Sequence, residues 1–444
     1  MQLIRKTHSV CPTCIKKIEA DIVQENNKIY MFKECKDHGK FKILLSKKAL
    51  YYRELTKLYF SSNKEYSKNY KRNYFNLYVT LRCNLDCTFC LTKANQNNQK
   101  NISLKHIKDL MKNWKNTKIG LWGGEPTLRK DLDKIIRIIK ESKNIPALYT
   151  NGIKIADFNY LKKLKNSGLE IVHLQFDGFS DDNYKKLRGK NLIKTKLKAL
   201  NNLSKLNLPV VLETTFVKGI NEDRIGEVLD YAVKNKFIKA VLFRSYSHIG
   251  RKGFKKDDEI LGEELIDILE KQTNGAISTN KVLEFQKLLY IFYDLISTKR
   301  CFYNQYLLIN RNKNDYEPVN DIIDFNKIDT KKYYESKKNI YSKLDFVLRT
   351  LPKIITSKSL KLISLSLSMY LARKITRKSF TSSTLPDNLL ILGFGCICNG
   401  YNYDEDAARF CIGGEITPEG QILPSLFESN LGREKFKVES WAGK

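Results

Sequence analysis

No stretch of about twenty uncharged apolar residues occurs anywhere in this chain, so no segment is expected to cross a membrane as a helix. The first ten residues, Met1 to Val10, lack an apolar core of signal-peptide length. Cysteine is scarce for the size, ten in 444 residues, which argues against a secreted disulfide scaffold and for a reducing cytoplasm. Acidic residues are also in short supply: 48 Asp and Glu stand against 79 Lys and Arg, a formal net charge of +31. That imbalance suits a polyanion such as RNA or an anionic lipid surface. It also suits compositional drift, because Lys, Asn, Ile and Tyr are enriched together along the whole chain. Apolar content is not lacking. At 42% hydrophobic residues the chain can bury a real core, and its length allows two or three domains.

The cysteines that are present fall at metal-ligand spacings. Cys83, Cys87 and Cys90 form a C-x3-C-x2-C run, with Phe89 before the last, directly after the β-rich stretch Tyr74 to Thr80. Three thiolates this close hold three corners of a 4Fe-4S cube and leave the fourth iron open. If S-adenosylmethionine (SAM) chelates that iron, one electron from the cluster cleaves its sulfonium and releases a 5'-deoxyadenosyl radical. Structural zinc prefers paired hooks from two places, giving four ligands; here three come from one loop.

Residues 1–50 read as a small metal ribbon. Cys11-Pro-Thr-Cys14 and Cys35-Lys-Asp-His38 are two hooks joined by the strand-like Lys28 to Lys33, a set that closes around one tetrahedral zinc or iron. So short a unit draws much of its folding energy from the metal. Residues 51–73 read as a helical connector. In 74–250, strand-like runs at Tyr74 to Thr80, Lys118 to Trp122, Ala147 to Thr150, Ile171 to Phe176, Val210 to Val217 and Ala240 to Phe243 alternate with amphipathic helices. Six β/α units in series imply an α/β fold, a partial (β/α)6 barrel with a parallel sheet and its chemistry at the C-terminal strand ends.

Those strand ends carry the unusual residues. After the cysteines comes Gly123-Gly124-Glu125-Pro126, where two glycines let backbone approach a ligand's ammonium and Glu125 supplies a counter-charge. Asn151 and Asp177 end the next two strands, placed to reach a ribose or carboxylate, and Arg188 follows as a bidentate partner for a carboxylate. The competing reading of each is a turn residue capping a helix. His248 and Arg251 lie beyond the sixth strand, toward a substrate.

Residues 251–444 read as a helical and cysteine-rich region. Within it, the basic amphipathic segment 330–383 suits helices on a membrane surface, or helices packed on the barrel with a basic outer face. Cys301, Cys396, Cys398 and Cys411 make up the number needed for one auxiliary 4Fe-4S cluster; a zinc site is the alternative.

The cysteine run, its aromatic residue and the Gly-Gly-Glu-Pro motif one strand later resemble the radical SAM superfamily. The ribbon at Ser9 to Cys14, Glu270 to Ile277, Tyr401-Asn-Tyr-Asp404 and Arg409-Phe-Cys411 resemble the branch that holds the tetraether lipid synthases, often labelled hydroxymethylpterin methyltransferases. The resemblance implies a SAM-binding 4Fe-4S cluster at Cys83, Cys87 and Cys90 and cofactor contacts from Gly123 to Pro126, Asn151, Asp177 and Arg188. It further implies a rubredoxin-like iron at Cys11, Cys14 and Cys35, with His38 as fourth ligand. The implied partners are a reducing electron donor and an anionic lipid or membrane surface touched peripherally; nucleic acid is not expected. The implied reaction is hydrogen abstraction from an unactivated carbon of an isoprenoid membrane lipid, leading to carbon–carbon bond formation. The alternatives are a radical methyltransferase or modifying enzyme acting on a pterin or peptide, and a non-catalytic metal ribbon that binds RNA. One departure matters: where relatives tend to place a further cysteine, this chain reads Leu423-Pro-Ser425-Leu, which implies one auxiliary cluster instead of two.

Overall fold

The computed structural model describes residues 1–61, 74–96, 101–295, 301–312, 315–323, 327, 349, 385–395, 397–408, 411, 414–416 and 422–423. Four antiparallel strands, β1 (Gln2–Val10), β2 (Lys17–Glu25), β3 (Lys28–Cys35) and β4 (Gly39–Ser46), pair in sequential order. Alternation buries Ala20, Ile22, Ile29 and Met31 on one face, against Tyr51, Tyr52, Leu55, Leu58 and Tyr59 of α1 (Ala49–Ser61). The expected connector therefore begins as a packed helix, and its remainder, 62–73, lies outside the described residues.

Polar contacts fasten this ribbon to the C-terminal segment. The buried Lys33 donates from Nζ to Ser9 Oγ at 3.0 Å and to the carbonyls of Val10, Gly400 and Tyr401 at 2.7 to 2.9 Å. Arg5 pairs with Asp404, and Thr7 Oγ1 donates to the same carboxylate at 3.0 Å. An ammonium enclosed by oxygens forgoes water only because each N–H finds an acceptor.

Among the described residues the main sheet has eleven strands. β5 (Tyr74–Thr80), β6 (Lys118–Gly123), β7 (Ile145–Thr150), β8 (Ile171–Gln175), β9 (Val210–Phe216) and β10 (Ile238–Ser245) run parallel in sequence order, as six β/α units require. The sheet does not stop at residue 250. β11 (Asn304–Asn312) and β12 (Asp315–Pro318) form a hairpin, and β13 (Leu389–Gly395) lies parallel to β10 with β11 antiparallel outside it. On the other edge, β14 (Gly414–Ile416) joins β5 in parallel and carries β15 (Ile422–Leu423).

Residues that alternate outward along the strands, including Leu77, Leu121, Leu148, Leu174, Leu212 and Phe243, meet the helices in one continuous core. In α3 (Leu132–Glu141) the buried residues Leu132, Ile135, Ile136 and Ile139 recur at helical spacing. Each such side chain stabilises the layer by about 1.5–3 kcal/mol, so a charge at Ile136 would break it. The inward face differs. Near the strand starts it holds the small apolar layer Ala147, Ile171, Val211 and Ala240, and above that layer it turns polar.

No helix among the described residues is long and apolar enough to cross a membrane. The segment 330–383, apart from Arg349, and Cys396 lie outside the described residues.

Candidate metal centre and active site

In the ribbon, the ligand atoms of Cys11, Cys14, Cys35 and His38 all lie within 4.8 Å of one another. Cys14 and Cys35 Sγ are 3.8 Å apart, and Cys35 Sγ is 3.5 Å from His38 Nδ1. A tetrahedron with arms of about 2.3 Å to sulfur has edges of about 3.8 Å, so the donors fit one ion, and three thiolates with one imidazole suit zinc. Tight turns build the knuckles: Ile15 N–H donates to Cys11 O at 2.9 Å, and Ile15 itself takes φ 62°, a position β-branched residues seldom adopt.

Cys83, Cys87 and Cys90, all partly exposed, sit on the loop that leaves β5. Backbone N–H groups point at the outer sulfurs, Leu85 N at 3.4 Å from Cys83 Sγ and Ala94 N at 3.3 Å from Cys90 Sγ. Such bonds tune an iron–sulfur cluster. Burial pushes the Cys83 thiol up to about 12, and the charges of Glu125, Cys87 and Cys90 add to it. A thiol of this kind gives its proton up to metal binding, not to solvent. Three sulfurs on one loop, with amide donors aimed at them and no fourth protein ligand on it, fit a cluster with one open iron.

The two glycines serve the loop directly. Gly124 N–H donates to Thr80 O and Glu125 N–H to Arg82 O, each at 2.8 Å, which pins the β6 turn to the start of the cysteine loop. A Cβ on Gly123, whose φ is +137°, would lie 2.0 Å from Thr80 O, and one on Gly124 would lie 2.3 Å from Arg82 O. The two glycines thus let two segments of backbone approach closely, beside the approach to a ligand that the sequence leads one to expect. Pro126 begins the short turn that follows, capped by Glu125.

Glu125 is wholly enclosed. Its carboxylate accepts from Thr127 N, Thr127 Oγ1, Thr150 Oγ1 and Asn151 N at 2.6 to 3.2 Å, and burial raises its pKa. It binds the ends of β6 and β7 together. Asn151 donates from Nδ2 to Asn84 Oδ1 at 2.7 Å, in the stretch between Cys83 and Cys87. Asp177 and Arg188 meet as a pair: Arg188, the last residue of α5 (Asp181–Arg188), donates to both Asp177 oxygens and lies over the Phe89 ring at 4.5 Å. Arg251 grips the cysteine loop through Asp86, Cys87 O and Ala94 O, while His248 is tied to Tyr246 Oη at 3.0 Å.

Lys196 escapes the sequence reading. In α6 (Ile193–Lys205) it holds a core position in the pattern Ile193, Lys196, Ala199, Leu200, Leu203, the one signal that marks it. Its Nζ donates to Asn151 O, Gln175 O and Gln175 Oε1 at 2.5 to 2.6 Å, and burial lowers its pKa to about 7. Below the strand ends, a polar wall lines the inner face. Lys118 Nζ lies 2.7 Å from His173 Nε2, and His173 Nδ1 lies 2.8 Å from Glu213 Oε1. Tyr149 stacks on His173 with centroids 4.1 Å apart, and Asn76 Nδ2 donates to Glu415 at 2.8 Å.

Of the C-terminal cysteines, Cys301 is buried in the apolar cluster that includes Tyr59 and Ala407. Cys411 N–H donates to Ala408 O in the adjoining short helix α10 (Glu405–Ala408), and Cys398 packs with Val10, Ile249 and Leu91. The pairing of Asn304 with Gly395 carries Cys301 and Cys398 to the same end of β11 and β13.

A radical SAM superfamily description matches residues 77–232, and that of the HMPTM N-terminal zinc ribbon domain matches residues 3–47. Over 98% of this chain and 97% of the relative, the sequence is 29% identical to a 7,8-dihydro-6-hydroxymethylpterin dimethyltransferase of Methanocaldococcus jannaschii. It is 31% identical over 214 residues to a GTP 3',8-cyclase of Campylobacter jejuni subsp. doylei, spanning 45% of this chain and 66% of that one. Among solved structures, SuiB of Streptococcus suis bound to its precursor peptide SuiA aligns with a TM-score of 0.40 at 22% identity, over 46% of each chain. Residues 77–232 of the chain form a radical SAM domain, and a metal-binding ribbon precedes it.

Proposed function

We propose that this radical SAM enzyme methylates a carbon of a reduced pterin, the methyl group coming from a one-carbon donor other than the SAM that is cleaved. The observation that carries the reading is the collinear match to the pterin dimethyltransferase, which runs through ribbon, barrel and C-terminal segment alike. The chemistry of the barrel interior supports it. Lys118, Tyr149, His173, Glu213 and Arg244 offer charge and hydrogen bonds to a flat nitrogen heterocycle, whereas a hydrocarbon chain entering there would strip them of water without replacing it. The names of both sequence relatives denote compounds with a 2-amino-4-oxopyrimidine ring, a pterin in one and GTP in the other. The isoprenoid-lipid reading draws on segment 330–383, almost wholly outside the described residues. Its lipid partner gains no support from the barrel.

The enzyme works with a 4Fe-4S cluster, SAM and a reducing electron donor. Cys83, Cys87 and Cys90 would hold the cluster, which when bound would supply the electron for reductive cleavage of SAM. The protein's own share is placement. Gly123 and Gly124 bring the β6 turn onto the cysteine loop. Glu125, Asn151, Asp177, Arg188 and Lys196 hold the strand ends rigid beside it, and the backbone groups between them meet the cofactor. Cys301, Cys398 and Cys411 would serve as ligands of an auxiliary cluster, whose fourth candidate, Cys396, lies outside the described residues.

The test is 5'-deoxyadenosine release by anaerobically reconstituted protein under dithionite, with 7,8-dihydro-6-hydroxymethylpterin in one arm and archaeal lipid extract in the other. Pterin-stimulated release with a mass gain of one or two methyl groups on the pterin is expected. Release raised by lipid alone would overturn the reading.

A further inference from the structure

We propose that the barrel lumen reads the 2-amino-4-oxopyrimidine edge of the substrate, with Glu213 pairing its two N–H groups and Arg244 donating to its oxygen. The inference deepens the pterin reading and rests on it.

Glu213 stands on the inner face of β9 with its side chain 23% exposed. One oxygen, Oε1, is held 2.8 Å from His173 Nδ1; among the described residues Oε2 has no protein partner. The second nitrogen of His173 is 2.7 Å from Lys118 Nζ, an ammonium that can only donate. His173 therefore keeps its proton on Nδ1 and must donate it to Glu213. Lys118, His173 and Glu213 form a one-way chain that fixes the carboxylate plane. Each carboxylate oxygen accepts two bonds, so Oε1 retains one lone pair and Oε2 both.

Two acceptors side by side in one plane match two adjacent N–H donors on a flat ring. An amide would offer one acceptor and one donor. The ring's oxygen calls for a donor nearby, and Arg244, two residues further along β10 than Leu242, the pairing partner of Glu213, spends only Nη1, on Asn304, among the described residues. Its charge acts on both His173 and Tyr149, which places it at the same wall. Aromatic rings flank the space: Trp122 meets Tyr149 edge-on at 4.9 Å, and its indole Nε1–H is buried with no acceptor among the described residues. A ring nitrogen or oxygen of the ligand can take that bond. Pterins and guanine nucleotides share the edge in question, so the surface defines the chemistry and the experiment separates the sources.

Isothermal titration on anaerobically reconstituted full-length protein would compare 7,8-dihydro-6-hydroxymethylpterin with its lumazine analogue, and GTP with ITP. Each control differs at the 2-amino group. The pterin is expected to bind about 10-fold or more tightly than the lumazine, and Glu213→Gln to weaken it by about 10- to 100-fold and erase that difference. Equal binding of the amino ligand and its control by the wild type, or a difference that survives Glu213→Gln, overturns the proposal. Methylated pterin with unaltered binding by Glu213→Gln sinks the reader and spares the methyltransferase. GTP bound in place of the pterin, with loss in Glu213→Gln, keeps the reader and sinks the pterin. Glu213→Gln keeps an acceptor for His173, and its melting curve checks the fold. If it does not fold, Arg244→Met reads the oxygen arm: about a 10-fold loss is expected, and none overturns the proposal.

Discussion

Asp177 and Arg188 close on each other as a fork, Nε to Oδ2 at 2.7 Å and Nη2 to Oδ1 at 3.0 Å, with both side chains buried. The sequence leads one to expect cofactor contacts from both, and their charges face each other. Asp177 Oδ1 also accepts from Thr215 N at 3.1 Å, so the pair ties α5 to two strand ends behind the cysteine loop. Removing one partner leaves an uncompensated buried charge. Asp177→Asn is expected to lower stability by about 3–5 kcal/mol, read as a shift in urea midpoint. A shift worth less than about 1 kcal/mol would mean that water reaches the guanidinium.

The strand-end glycines should tolerate nothing larger. Gly124→Ala sets a methyl group 2.3 Å from Arg82 O and must move the cysteine loop. Iron and sulfide after reconstitution should fall by about one 4Fe-4S cluster's worth while the ribbon metal stays bound. Full cluster loading in the variant would refute the packing argument.

His173 gives the barrel an acid limit. Burial, joined by the Lys118 charge, holds its folded-state pKa at about 4, below the ordinary 6.5. As pH falls, the unfolded chain takes up the proton first, so this contribution is complete above pH 6.5 and is lost toward pH 4. The loss amounts to about 3 kcal/mol. Denaturation midpoints between pH 7 and pH 4 should fall less steeply in His173→Gln; parallel curves would show that other groups set the limit.

Metal removal should loosen more than the ribbon. Cys11 to Cys14 packs against the segment that Lys33 and Arg5 tie down, Gly400 to Asp404. Stripping one equivalent of zinc or iron, or making Cys35→Ser, is expected to expose 397–408 to protease together with the ribbon. Cleavage confined to residues 1–47 would show that the two dock independently.

The local signals carried far. The six strand-like runs fall on β5 to β10 within one or two residues, because half-buried parallel strands with helical crossovers write their period into the sequence. His38 took its place beside Cys35 for the same reason: hook spacing is local. What was hidden depends on distant pairing. β13 lies beside β10 although well over a hundred residues separate them, and nothing near Leu389 announces its neighbour. The polar wall was hidden too, since Lys118, His173 and Glu213 meet only once the four strands β6 to β9 are side by side. Lys196 looks like any surface lysine until its helix face is counted.

The pairing of Gly414 with Phe75 has a consequence in time. The strand that leads into the cysteine loop acquires its outer neighbour only after more than three hundred further residues have been made, roughly 20–70 s at ordinary ribosomal speed. During that interval β5 presents a bare hydrogen-bonding edge, a template for stray strands.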